Sequence, residues 1–145
     1  MYNILKHETT EDVKRAVLDT LQKNNWKEIL CTTPKGTYIN PYQNTKTIIA
    51  SAKMAPIGVF ESEVFCDNML RQAIVENLDD IARFVIKGVP MKIFVTEYEE
   101  NIGFVAQAIS DTQITKTTTY KTALYISKHK DSEVGFYISM FTPVL

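Results

Sequence analysis

The stretch "ESEVFCDNMLRQAIVENLDDIARFVIKG" constrains the fold of this 145-residue chain more than any other. Leu70, Ile74, Leu78, Ile81 and Val85 recur three or four residues apart, while Arg71, Glu76, Asp79, Asp80 and Arg83 stay largely off that stripe. Such spacing predicts an amphipathic helix whose apolar side has to cover another element. Gly88 and Pro90 stop it, and its first turns, Ser62 to Asp67, either join it or form a short helix of their own. Beyond Pro90 the pattern changes to strands: "MKIFVTEY", "GFVAQAI", "TYKTALYIS" and "VGFYISMF", separated by the short connections "EENI", "SDTQITKT" and "KHKDSE". Short connections favour an antiparallel meander. The stripe is then expected to pack on Ile93, Val95, Leu124, Ile126, Ile138 and Met140.

Upstream, Thr9, Thr10, Glu11 and Asp12 supply capping and acidic residues before Val13, Ala16, Val17 and Leu21, predicting a first helix from about Thr10 to Lys23. "WKEILCTT" follows as a short strand candidate, "TPKGTYINPYQN" as a loop, and "TKTIIASAKM" as a β-rich run closed by Pro56 and Gly58. The expected architecture is a single α+β domain over residues 1–145, with a helical and irregular first half and a long helix on a four-stranded antiparallel sheet.

Several functions are disfavoured by what the chain contains. Sixteen Lys and Arg against seventeen Asp and Glu leave a net charge of −1, without the positive field that a non-specific nucleic-acid binder normally uses. Cys31 and Cys66 have neither metal-site spacing nor a His partner, so buried free thiols are the default reading and a single disulfide the other. Only five glycines are present, and no phosphate loop, dinucleotide fingerprint, nucleophile elbow or metal-ligand pair occurs, so no cofactor and no metal are expected. Charge interrupts every apolar run, so no membrane span is expected, and "MYNILKHETTED" turns acidic too early for a signal peptide. The expectation is a chain that folds in water and acts in the cytoplasm.

The closing strand, "SEVGFYISMFTPVL", sets hydroxyls into an apolar run. Counting alternate residues puts Tyr137, Ser139 and Phe141 on one face, toward a groove, and Phe136, Ile138, Met140 and Thr142 on the other, against the helix.

The order "VFCDNMLRQAIVENLDDIARFVIKG", a strand, "NIGFVAQAI", then "TALYISKHKDSEVGFYISMFTPVL" resembles the ribonuclease A-like toxin domains at the carboxy termini of bacterial contact-dependent inhibition proteins. Phe65, Ala73, Ile74, Asn77, Ile81, Phe84, Gly88, Ile102, Gly103, Gly135 and Pro143 carry the likeness, which covers roughly residues 60 to 145. The resemblance implies a small metal-independent ribonuclease that uses a His and an Arg near the start of the domain, in the order of His7 and Arg15. It also implies a Thr-x-Tyr in the last strand, where this chain departs from the pattern. One register offers Ser139 and Phe141 there; the register anchored on Pro143 offers Met140 and Thr142.

Internal transesterification of RNA needs a base, an acid and a donor to the phosphorane. On this reading His7 is the base or acid, and Arg15, Tyr137 and Ser139 stabilise the transition state. Lys121, Lys128, His129 and Arg71 contact the substrate, beside Lys116, Lys130, Tyr120 and Tyr125 on and around one hairpin. Ser139 should then lie within about 10 Å of His7, since these groups must converge on one phosphorus. Each residue also has a plainer reading: Arg15 and Arg71 as helix surface charges, the lysines as protection of a sheet edge, and His129 as a solvated turn. The competing function is a non-catalytic interaction protein, of immunity, anti-defence or other partner-binding type, that uses the sheet face. The expected partner is accordingly RNA or a protein.

Overall fold

The computed structural model describes residues 9–42, 56–110 and 113–145. His7 and the "TKTIIASAKM" run lie outside them. Helix α1 spans Thr10–Leu21 and begins, as its sequence predicts, at Thr9, whose hydroxyl accepts the Asp12 N–H at 3.1 Å. The expected strand at "WKEILCTT" is instead helix α2, Trp26–Leu30, which leaves only an isolated bridge between Thr32 and Tyr38. Strand β1, Ile57–Phe60, forms where Pro56 and Gly58 were expected to close a strand.

The long periodic stretch divides into α3, Glu63–Glu76, capped by the Ser62 hydroxyl at the Phe65 N–H, and α4, Leu78–Ile86. Asn77 makes the joint. Its side-chain amide donates to Ala73 O and to Thr96 Oγ1, both at 2.8 Å, while its own N–H reaches Ala73 O and its carbonyl receives the Ile81 N–H. These bonds hold the joint to α3 and to the first turn of α4, and tie it to the strand carrying Thr96. Tyr98 makes a second tie, with its hydroxyl 2.9 Å from Thr122 Oγ1 and donating to Met69 O.

The strands β2 (Met91–Glu97), β3 (Gly103–Ala108), β4 (Ile114–Thr119), β5 (Lys121–Lys128) and β6 (Phe136–Val144) complete an α+β fold. They do not form the single four-stranded meander expected. Two three-stranded antiparallel sheets are present, in the orders β1-β3-β4 and β2-β5-β6. The Thr-rich "ITKTTT", whose first four residues were expected in a connection, is β4, and Tyr120 alone separates it from β5, so one extended segment serves both sheets.

The inner face of β2-β5-β6 closes the main core with the helices through Phe94, Leu124, Ile126, Phe136, Ile138 and Phe141. Leu70, Ile74 and Ile81 are fully buried there, while Leu78 and Val85 are partly covered. The expected partners Leu124, Ile126 and Ile138 hold. Ile93, Val95 and Met140 do not: they stand 44%, 58% and 49% exposed on the outer face. In β2 the phase is inverted, with Phe94 and Thr96 inward. In β6 the face changes at a bulge: Tyr125 pairs with Met140 and Ile126 with Ile138, leaving Ser139 without an opposite residue. Strict alternation therefore fails beyond Ile138, and Phe141 turns inward to stack on Phe60 of β1, with ring centres 5.2 Å apart.

Candidate functional site

The two sheets meet where β1 crosses β6 at Gly58. A Cβ on Gly58 would lie 2.5 Å from Thr142 Oγ1 and 2.9 Å from the Pro143 carbonyl carbon. Only a glycine permits that approach. Gly58→Ala is expected to cost about 1–3 kcal/mol by overpacking, read as a shifted denaturation midpoint. An unchanged midpoint would contradict the close crossing.

Beside this crossing lies a groove of about 660 Å³, lined by β6 from Ser139 onward, by Tyr125, by Gly58 and Val105 of the other sheet, and by Ile39 to Pro41. It presents the hydroxyls of Tyr125, Ser139 and Thr142 and the amide of Asn40 on otherwise apolar walls. Ser139 Oγ donates to Tyr125 O at 3.3 Å and so fastens the bulge. Thr142 Oγ1 donates to Pro143 O at 3.3 Å. Among the described residues lining the groove there is no Lys, Arg or His.

The other site residues suggested by sequence are dispersed. Arg15 is an exposed α1 residue within 3.9 Å of Asp12. Arg71 donates to Leu21 O at 2.6 Å, satisfying a carbonyl at the end of α1, and its guanidinium lies 4.7 Å over the Trp26 ring. Lys121 is 3.5 Å from Glu97. Lys128 donates to Gly88 O at 3.0 Å and lies over Phe84, and His129 sits in the β5–β6 turn, where its N–H donates to Gly135 O. Tyr137 is half-buried opposite Ser127. None of Arg15, Arg71, Lys121, Lys128, His129 and Tyr137 lines the groove, which Ser139 and Tyr125 do.

Both cysteines are buried and free, and desolvation pushes each thiol up to about 12, which keeps them protonated and unreactive at neutral pH. No group of three His, Cys, Asp or Glu side chains suited to a metal occurs among the described residues, and no described helix is long and apolar enough to cross a membrane.

A surface that sequence reasoning assigned to the core completes the picture. Across the outer face of β2-β5-β6, register places Met91, Ser127 and Tyr137 in one row, Ile93, Tyr125 and Met140 in the next, and Val95, Ala123 and Thr142 in a third. Met91, Ile93, Val95 and Met140 are all between 44% and 58% exposed. Contiguous apolar exposure of this kind marks an interaction surface more often than scattered single residues do.

No family model and no curated protein matches the chain. A solved structure is similar to it. A chain of the CdiA-CT/CdiI complex from Y. kristensenii 33638 aligns at a TM-score of 0.58 and 12% sequence identity, over 71% of this chain and 92% of that one. At that identity the likeness is one of fold. At the level of fold it agrees in part with the resemblance drawn from the sequence.

Proposed function

We propose that this chain is one member of a toxin–immunity pair of the contact-dependent inhibition kind, and that it works through association with a protein partner. The supporting observation is the fold likeness, which extends over 92% of a chain drawn from a CdiA-CT/CdiI complex. The exposed apolar sheet face and the absence of cations among the described groove residues favour association over phosphodiester chemistry. Mixing the purified chain with the product of a neighbouring gene should give a stoichiometric complex; a panel of such products that all fail to bind would overturn the proposal.

A second reading, favoured by the hydroxyl-lined groove at Ser139, makes this chain the RNA-cleaving member of the pair. In it His7 transfers the proton, Arg15, Tyr137 and Ser139 stabilise the phosphorane, and Lys121, Lys128, His129 and Arg71 hold the RNA. Expression in bacteria would then stop growth and fragment RNA, while His7→Ala and Ser139→Ala would each lower cleavage by about tenfold or more with little change in melting temperature. Normal growth and intact RNA at good soluble yield would end this second reading and leave the binding role in place.

A further inference from the structure

We propose that β2 is a self-association edge, at which two copies of this chain pair β2 against β2 across a two-fold axis to make one six-stranded sheet. The proposal uses backbone phase, edge design and side-chain pattern alone, and does not depend on the toxin–immunity reading.

Phase comes first. Pro90 O receives the Lys128 N–H at 2.8 Å just before β2, and the Tyr98 N–H reaches Tyr120 O at 2.8 Å just after it. In an antiparallel ladder, alternate residues point their N–H and C=O to the same side. With Pro90 and Tyr98 directed toward β5, Lys92, Phe94 and Thr96 are directed there too, opposite Ile126, Leu124 and Thr122. Met91, Ile93, Val95 and Glu97 therefore aim their backbone groups away from β5, to the side on which no described strand pairs. Among the described strands, β2 pairs only with β5.

Edge design comes second. Proteins protect open strands with proline, bulges, short length or outward lysines. Strand β6 carries Pro143 and the Ser139 bulge, and β1 has four residues directly after Pro56. Strand β2 has seven regularly paired residues, with neither proline nor bulge. Its one lysine, Lys92, is exposed and lies over the Phe94 ring, on the opposite face from Ile93 and Val95.

The side chains then select a second copy as the occupant. A two-fold axis at Phe94 brings Ile93 opposite Val95 of the other copy, Met91 opposite Glu97 and Lys92 opposite Thr96, so every outward backbone group pairs and no charge meets its twin. The same operation joins the two exposed apolar faces into one. A net charge of −1 puts little repulsion in the way.

Sedimentation velocity on the intact chain should show a species of twice 16.5 kDa at micromolar concentration that dissociates on dilution. Val95→Pro removes an outward N–H without touching the β5 ladder, and Val95→Lys keeps that N–H but sets a cation beside Ile93 of the other copy. Each should weaken dimerisation by about tenfold or more while leaving circular dichroism unchanged. Ile109→Lys, at an equally exposed residue outside β2, should leave the dimer intact. A wild-type chain that stays monomeric at high micromolar concentration overturns the self-pairing and leaves the edge to a strand from another protein. A dimer that persists in both folded Val95 variants, or is lost in Ile109→Lys, overturns it as well.

Discussion

Phe94→Ala will destabilise the dilute monomer by about 3–5 kcal/mol, whereas Val95→Ala, at the next position, will change its stability by less than about 0.5 kcal/mol. Phe94 is 5% exposed and meets Phe84 edge to face, with ring centres 6.4 Å apart, so truncation removes a ring contact and opens a cavity under α4. Val95 is 58% exposed and has no comparable apolar surface to lose. Urea denaturation of the two variants, at a concentration low enough to keep the chain monomeric, separates the assignments directly. Equal losses, or a larger loss at Val95, would restore the phase in which Ile93 and Val95 form the core.

That phase was the natural reading of "MKIFVTE", and it shows where period-two reasoning runs out. Both faces of β2 carry large apolar side chains, and the polar Thr96 falls on the buried one, where Asn77 donates to its hydroxyl. A hydroxyl with a partner can be buried cheaply, but the partner belongs to a helix joint that no spacing in β2 reveals. The bulge at Ser139 is hidden for a related reason. Alternation holds over Phe136 to Ile138 and again over Phe141 to Pro143, and only the pairing with β5 shows that one residue between them is extra.

The helices were more legible because their signals are local. Thr9 caps α1 as its sequence suggests, and Leu70, Ile74 and Ile81 are buried as their spacing requires. The α+β class also follows from local pattern. Splitting the strands into two sheets does not: it depends on β2 pairing with β5 across two intervening strands, and on a glycine small enough for β1 to cross β6. Of the candidate site, the hydroxyls of the closing strand were readable and Ser139 does line a groove. For Lys121, Lys128 and Arg71 the sequence shows a cation but not its structural partner. Their partners, Glu97, the Gly88 carbonyl and the Leu21 carbonyl, lie 24 to 50 residues away.

Ile81→Ala will cost about 2–5 kcal/mol, although it sits in the short helix after a joint and not in the long helix expected. Two features place it in that range. Its side chain is fully buried in the main core, so truncation leaves a cavity lined by residues already held by the sheet. Its N–H also donates to Asn77 O at 2.8 Å, and Asn77 is in turn held to α3 by its own N–H and side-chain amide on Ala73 O, so α4 has little freedom to slide into the space. Had the break at Asn77 uncoupled the two helices, α4 could rotate and refill the cavity, and the loss would fall below about 1.5 kcal/mol, as in a volume-conserving repacking. Val75→Ala is the internal control: it lies just before the joint, is 49% exposed, and should stay within about 0.5 kcal/mol of the parent. A small loss at Ile81 would therefore mean that the joint is a hinge between independently packed helices; a large one means that the stripe acts as a single bent ridge against the inner face of β2-β5-β6.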